Sequence, residues 1–245
     1  MIEGLKSRII TIDRDVIPVF GNIINDHNRM HRDKKIAEKE GFSDTPVHGI
    51  YLLSNFEALV SDNGFDMNKY SIKFKSPAYP GNRIVFGGEV RDGKAYLEAK
   101  NGSSLVASCI VDLNSQRPSF SAINSPRRDF NYILNTKDVD YFYRALDKSN
   151  NGKMPKSLVT SLIPASLLQM GTNSEGVPVG VFRGIDVKTY SEPEIGPVHT
   201  TIYKMGEPKN MRGTFIYNTE GVCTQNGKPI LSGDIKVITK QELDF

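Results

Sequence analysis

The sequence predicts an α+β fold in which an antiparallel sheet wraps a buried helix, and it predicts that arrangement twice. Three observations lead there. Each half of the chain contains a strongly apolar helical stretch. Each stretch is followed by period-two runs joined by short turns, the order expected when consecutive hairpins cover one helix. The halves meet at a polar connection, Asn114 to Arg128 (NSQRPSFSAINSPRR), which has no sustained apolar period. The expected division is a first unit over 1–113, a linker over 114–130 and a second unit over 131–245.

The elements follow in order. Val16, Ile17, Phe20, Ile23 and Ile24 recur at helical spacing, with Pro18 tolerable only in the first turn. A short second helix is expected from Asp33 as N-cap to Gly41 as stop. Ile50, Leu52, Leu53, Phe56, Leu59 and Val60 line a third helix, apolar on more than one face and so buried. After Gly64 the period becomes two: Ile72 and Phe74 alternate with Lys73 and Lys75, and strands are expected at 83–91, 94–100 and 104–113. Pro80-Gly81 and Asp92-Gly93 supply turn chemistry.

The second half repeats the order. Val139, Phe142, Tyr143 and Leu146 suggest one helix, and Leu158, Val159, Leu162, Ile163, Leu167 and Leu168 a buried one. Strand-like runs follow around 181–190, 198–204, 212–218 and 230–238. Two local matches support a duplication. Ser76-Pro77-Ala78-Tyr79-Pro80-Gly81 is similar to Ser191-Glu192-Pro193-Glu194-Ile195-Gly196, and Asn101-Gly102 precedes a strand as Asn226-Gly227 does.

Composition excludes several function classes. At 245 residues, with 38% hydrophobic and 24% charged, the chain is globular rather than disordered. A net charge of +3 is too mild for a nucleic-acid partner but suits an anionic ligand. Two cysteines, Cys109 and Cys223, build no disulfide framework and fit a reducing compartment. No apolar run approaches membrane-spanning length, and Met1 to Arg8 lacks a secretory core, so a cytoplasmic protein with no membrane partner is expected. The P-loop, the dinucleotide fingerprint, the G-x-S-x-G elbow, C-x-x-C and H-E-x-x-H are all missing from the sequence.

What remains is a cluster. Three of the four histidines lie between residues 27 and 48. Asp26, Asn28 and His31 follow the first helix, and His48-Gly49 opens the buried one. A carboxylate and an imidazole held over one water can share its protons, as addition of water to a double bond requires. The start of the buried helix offers free N–H groups and a positive dipole end to a thioester oxyanion, and Gly49 permits close approach. The same residues admit other readings. His27 and His31 are spaced i,i+4 and, with Asp26 and Asp33, could ligate a metal; the expectation here is no metal. Arg83, after the Pro-Gly turn, is a candidate phosphate contact, set against a simple solvated strand-edge charge.

Asp26-x-Asn28-Arg29-x-His31-x-Asp33, His48-Gly49, and the strand and turn from Ile72 to Gly81 together resemble the MaoC-like, R-specific enoyl-CoA hydratases over roughly residues 9 to 113. The resemblance implies a hot-dog fold working as paired units, so the whole chain reads as a double hot-dog whose second half lacks the motif. It implies that Asp26 and His31 activate water, that the Gly49 N–H stabilises the thioester oxygen, and that Asn28 orients the dyad while His48 shapes the loop. Asn28, His48 and Arg83 are then the substrate-contact candidates. The implied activity is (R)-specific hydration of an enoyl thioester, or dehydration of a 3-hydroxyacyl thioester, carried on coenzyme A or acyl carrier protein. No cofactor is needed, and a homodimer is compatible. One departure stands out: Arg29 replaces the family's proline. A thioesterase of the same fold and a non-catalytic acyl-thioester binding protein are the alternative functions.

Overall fold

The structure is a computed structural model that describes residues 3–24, 26–150, 152–171, 181–239 and 242–245. The first half contains β1 (Glu3–Gly4), β2 (Arg8–Thr11), α1 (Val16–Ile23), a 3₁₀ turn (Arg29–His31), α2 (Lys34–Lys39) and α3 (Gly49–Asp62). It continues with β3 (Lys69–Phe74), β4 (Arg83–Arg91), β5 (Lys94–Asn101) and β6 (Ser104–Asp112). The second contains β7 (Arg127–Leu134), α4 (Thr136–Ala145), α5 (Lys156–Thr160) and α6 (Leu162–Met170). Its remaining strands are β8 (Val181–Thr189), β9 (Gly196–Lys204), β10 (Lys209–Met211), β11 (Thr214–Gln225) and β12 (Lys228–Thr239).

The strands form one sheet in the order β1-β4-β5-β6-β3-β8-β12-β11-β9-β7, with β2 also on β4 and β10 on β11. Every pairing is antiparallel. The halves join where β3 pairs β8, with Ile72 opposite Ile185 and Lys73 opposite Gly184. Outward from that seam the order is alike on both sides: β6, β5, β4 and then β1 or β2 on one, β12, β11, β9 and then β7 on the other. The seam needs a glycine, because a Cβ on Gly184 would lie 2.2 Å from the Ile72 carbonyl oxygen.

The helices lie against this sheet and form one core with it. Leu53, Phe56 and Leu59 of α3 are fully buried, and Phe56 meets Phe86 of β4 edge to face at 5.1 Å. The core is continuous across the halves. Phe20 of α1 packs on Phe142 of α4 at 5.1 Å, and the Tyr70 hydroxyl on β3 bonds Thr160 of α5 at 2.7 Å. Among the described residues no helix is long and apolar enough to cross a membrane.

Three differences from the sequence expectation have physical causes. The apolar stretch Leu158–Leu168 is two helices, broken at Ser161, with Pro164 in the first turn of α6, where its missing N–H costs no bond. Strand β7 starts at Arg127, inside the expected 114–130 linker; its first residues are solvated, so it shows no apolar alternation. Strands β11 and β12 run further toward each other than expected, and Asn226 and Gly227, both at positive φ, close the hairpin between them. Gly221 hides the strand character of β11. It is required because a Cβ there would lie 2.3 Å from the Ile163 side chain.

Candidate active site

The chain leaves α1 through Ile24 and turns back on itself by a series of short hydrogen bonds. The Asp26 carboxylate accepts from the Asn28 N–H at 3.0 Å, and the Asn28 side chain accepts from the Met30 N–H at 3.2 Å, capping the 3₁₀ turn. That turn carries His31 back over Asp26. Asp33 then caps α2 by accepting from the Lys35 and Ile36 N–H groups, as the sequence predicts.

Asp26, Asn28, His31 and His48 are all buried polar residues. His31 Nδ1 lies 2.8 Å from the Pro46 carbonyl oxygen, which can only accept, so Nδ1 carries the proton and Nε2 a lone pair. That Nε2 stands 3.8 Å from Asp26 Oδ2. His48 stacks on His31 with ring centroids 3.9 Å apart, and its own Nε2 is also 3.8 Å from Asp26 Oδ2. Burial lowers the pKa of His31, against the opposing pull of Asp26 and the Pro46 hydrogen bond. Burial lowers that of His48 much further, with His31 and Arg32 adding repulsion. Both imidazoles are therefore neutral at pH 7.

The dyad faces a cavity of about 370 Å³. Asp26, Asn28, His31, His48 and Gly49 all line it. The structure thus brings five of the six expected residues together. The sixth is elsewhere: Arg83 is exposed at the start of β4, opposite Thr11 of β2, and is not among the lining residues. It lies outside this cavity, at a solvated strand end.

Gly49 begins α3, and the His48 side chain makes no capping bond, so no side-chain acceptor from His48 competes for the first-turn N–H groups. The space beside Gly49 is not empty. A Cβ there would lie 2.7 Å from the Phe74 ring, so this helix start requires glycine for packing. Arg29 is exposed and ion-paired with Asp33 at 3.2 Å. It is the first residue of the 3₁₀ turn, a position proline also suits, so its departure from the family pattern leaves the turn intact. His27 is exposed, and Asp33 is spent as a cap, so the predicted metal alternative built on them does not assemble.

Sequence reasoning missed the far wall. Pro164, Ala165 and Leu168 of α6 and Phe182 and Arg183 of β8 line the same cavity from the second half. The seam explains it: β3 paired with β8 sets Arg183 next to the end of β3, where Phe74 and Lys75 also line the cavity. Lys75 reads in the sequence as one of several exposed strand lysines, and only the strand pairing singles it out.

This helix-wrapping antiparallel sheet is the hot-dog fold. Residues 4–108 match the family described as MaoC like domain. A mitochondrial 3-hydroxyacyl-[acyl-carrier-protein] dehydratase of Arabidopsis thaliana is 32% identical over 71 residues, 28% of this chain and 43% of that protein. The chain thus spans less than half the length of this curated relative. Among solved structures, a Chloroflexus aurantiacus protein described as a MaoC domain dehydratase superposes over 98% of this chain and 94% of its own, with a TM-score of 0.69 and 10% identity. A Lactobacillus plantarum protein described as an oleoyl thioesterase superposes over 98% of each chain, at 0.57 and 13%. At such identities these two likenesses concern the fold.

Proposed function

We propose that the chain is two hot-dog units, 1–113 and 131–245, forming one hydratase/dehydratase for an acyl thioester. The observation that carries this reading is the buried Asp26–His31 pair facing a largely apolar cavity. At 3.8 Å the pair is too far apart for a direct bond, while a water about 2.8 Å from both atoms fits between them.

In the hydration direction the water gives its hydroxyl to C3 of the enoyl thioester and a proton to His31 Nε2. Asp26 holds the other O–H and stabilises the imidazolium that forms. Electron density moves from the C2–C3 double bond to the thioester oxygen, against the Gly49 N–H. As that enolate collapses, C2 takes the proton from His31 and the dyad returns to its starting state. One such preorganised donor contributes on the order of 3 kcal/mol. The same steps reversed dehydrate a 3-hydroxyacyl thioester, with the (R) configuration expected of the family.

Lys75 and Arg183, both exposed and both lining the cavity, suit the phosphate shared by coenzyme A and the phosphopantetheine of an acyl carrier protein. The acyl chain then lies among Ile24, Phe42, Leu52, Pro164 and Leu168. The test is loss of the enoyl-thioester absorbance of crotonyl-CoA without release of free thiol. Thiol release in place of hydration identifies a thioesterase. Neither change, with a thioester analogue still bound, identifies a binding protein.

A further inference from the structure

The water-activating dyad leaves one member of the cluster unexplained. His48 is only 2% exposed, yet neither ring nitrogen reaches a hydrogen bond of normal geometry among the described residues, the Asp26 backbone alone standing close enough to favour its protonated form. A buried unpaired polar atom is costly and calls for a ligand, a water or an ion. It points at the same carboxylate oxygen as His31 does, 3.8 Å away.

We propose that Asp26, His31 and His48 together bind a divalent transition-metal ion of the Zn²⁺ class, and that the ion, by taking the place of the catalytic water, inhibits the enzyme. The binding claim stands on the side chains alone; the inhibition claim rests on the hydratase reading. One carboxylate oxygen and two imidazole nitrogens lie within 4.8 Å of one another, all on buried residues. Around tetrahedral zinc, ligand atoms are about 3.3 Å apart. The 3.8 Å separations from Asp26 to each histidine are about half an ångström wider than that, and the two imidazoles, stacked 3.9 Å apart, must also tilt to converge on one ion.

The surroundings fit a metal as well. His31 donates its Nδ1 proton to the Pro46 carbonyl, the outer-shell bond that commonly fixes a ligating imidazole with Nε2 free. The mixed carboxylate and imidazole set favours zinc, copper, nickel or cobalt over magnesium or calcium, which prefer all-oxygen sites. The cavity supplies an access route and room for a water as fourth ligand. The exposed His199–Asp129 pair, with Nε2 3.3 Å from Oδ1, is the natural competitor for added zinc.

Calorimetric titration of the metal-free full chain with Zn²⁺ tests this. One ion per chain is expected, with Asp26→Asn, His31→Gln and His48→Gln each weakening binding at least about tenfold and His199→Gln leaving it unchanged. Co²⁺ in its place should give visible ligand-field absorption that vanishes in Asp26→Asn. Should His48→Gln fail to fold, Asp26→Asn, nearly the same shape, decides alone. Absence of saturable binding, or loss through His199→Gln in place of the three, overturns the site. Zn²⁺ should also stop crotonyl-CoA hydration in the wild type, and a chelator should restore it. Stoichiometric zinc at the three residues with hydration undiminished overturns the inhibition. Zinc bound there by a chain that hydrates no enoyl thioester upholds the site and removes the hydratase reading.

Discussion

The start of α3 in the first half and the start of α5 in the second are finished differently. In the first half α3 begins at Gly49, receives no side-chain cap from His48, and opens onto the cavity. In the second half α5 begins at Lys156, and Glu57 of α3 reaches across to close it. The carboxylate accepts from the Lys156 N–H at 2.8 Å, from the Ser157 N–H at 3.0 Å and from the Ser157 hydroxyl. One helix start opens onto a cavity and the other is filled by the protein itself. The preceding loops differ in step. The first carries Asp26 and His31; the second, from Asp147 to Pro155, has no histidine. On the proposed reading the two halves separate two jobs. One holds the buried Asp26–His31 pair, and the other closes its own helix start and lends α6 and β8 to the far wall of the cavity.

The largest effect expected from breaking this division is removal of the second half. Residues 1–113 alone would expose the β3 edge that pairs β8 and the core faces that meet α4, α5 and α6. The fragment should be inactive and insoluble or aggregated, measured by expression and size exclusion; a soluble, active fragment contradicts the shared cavity. Asp26→Asn and His31→Gln come next. Each keeps its shape and removes a proton-transfer partner, so kcat for crotonyl-CoA hydration should fall about 10²–10⁴-fold with the melting temperature little changed. Near wild-type rates would dismiss the dyad.

Arg183→Glu sharpens the comparison from the other side, because a second-half residue then alters first-half chemistry. Reversing a charge beside the cavity should raise KM about tenfold, which is about 1.4 kcal/mol, with kcat nearly constant. Arg83→Glu, on exposed β4, should leave both unchanged. An effect at Arg83 in place of Arg183 would return the phosphate contact to its sequence-based position.

These outcomes bear on what the sequence makes legible. Local signals carry well. The Asp33 cap, the Pro18-tolerant α1, the α3 stripe and strands β4 to β6 all follow from spacing and turn residues near one another in the chain. The Asp26, Asn28 and His31 cluster is legible for the same reason, since one short loop assembles it. Long-range pairing carries poorly. Arg183 lies 108 positions beyond Lys75 by their numbering and is brought near it only by the β3–β8 register. Arg83 carries a competing signal, a charge after a Pro-Gly turn, but its pairing with Thr11 of β2 sets it at a solvated strand end outside the cavity. The break at Ser161 is hidden because both fragments are buried on all sides and leave no periodic change. Glu57 is hidden too, an isolated acid in an apolar helix whose partners lie 99 and 100 residues away.

Replacing Glu57 by glutamine tests the filled helix start without touching the dyad. Two oxygens now accept three donors; the amide offers one oxygen and sets an NH₂ group against an N–H. Stability should fall by about 1–3 kcal/mol in denaturant melts, with kcat unchanged. A neutral change there would mean the carboxylate contributes little to closing α5.

The last effect concerns pH. His31 and His48 are both held below the ordinary imidazole pKa, first by burial. In the unfolded chain each returns to about 6.5. Between the two values the unfolded state binds more protons than the folded one, so stability is complete above about pH 6.5 and falls as the solution becomes more acidic. Each histidine can contribute a slope of up to about 1.4 kcal/mol per pH unit in that window. His48→Gln removes the more deeply buried titration, so its melts should show a shallower loss between pH 6.5 and 5 than the wild type. The catalytic profile should behave oppositely on the acid side: a neutral His31 stays a base below pH 6.5, so hydration should persist where an exposed imidazole would already be protonated. A wild-type stability flat from pH 7.5 to 5, or a hydration rate halved near pH 6.5, would mean that these rings are not as deeply shielded from water as their stacking in the loop between α1 and α3 implies.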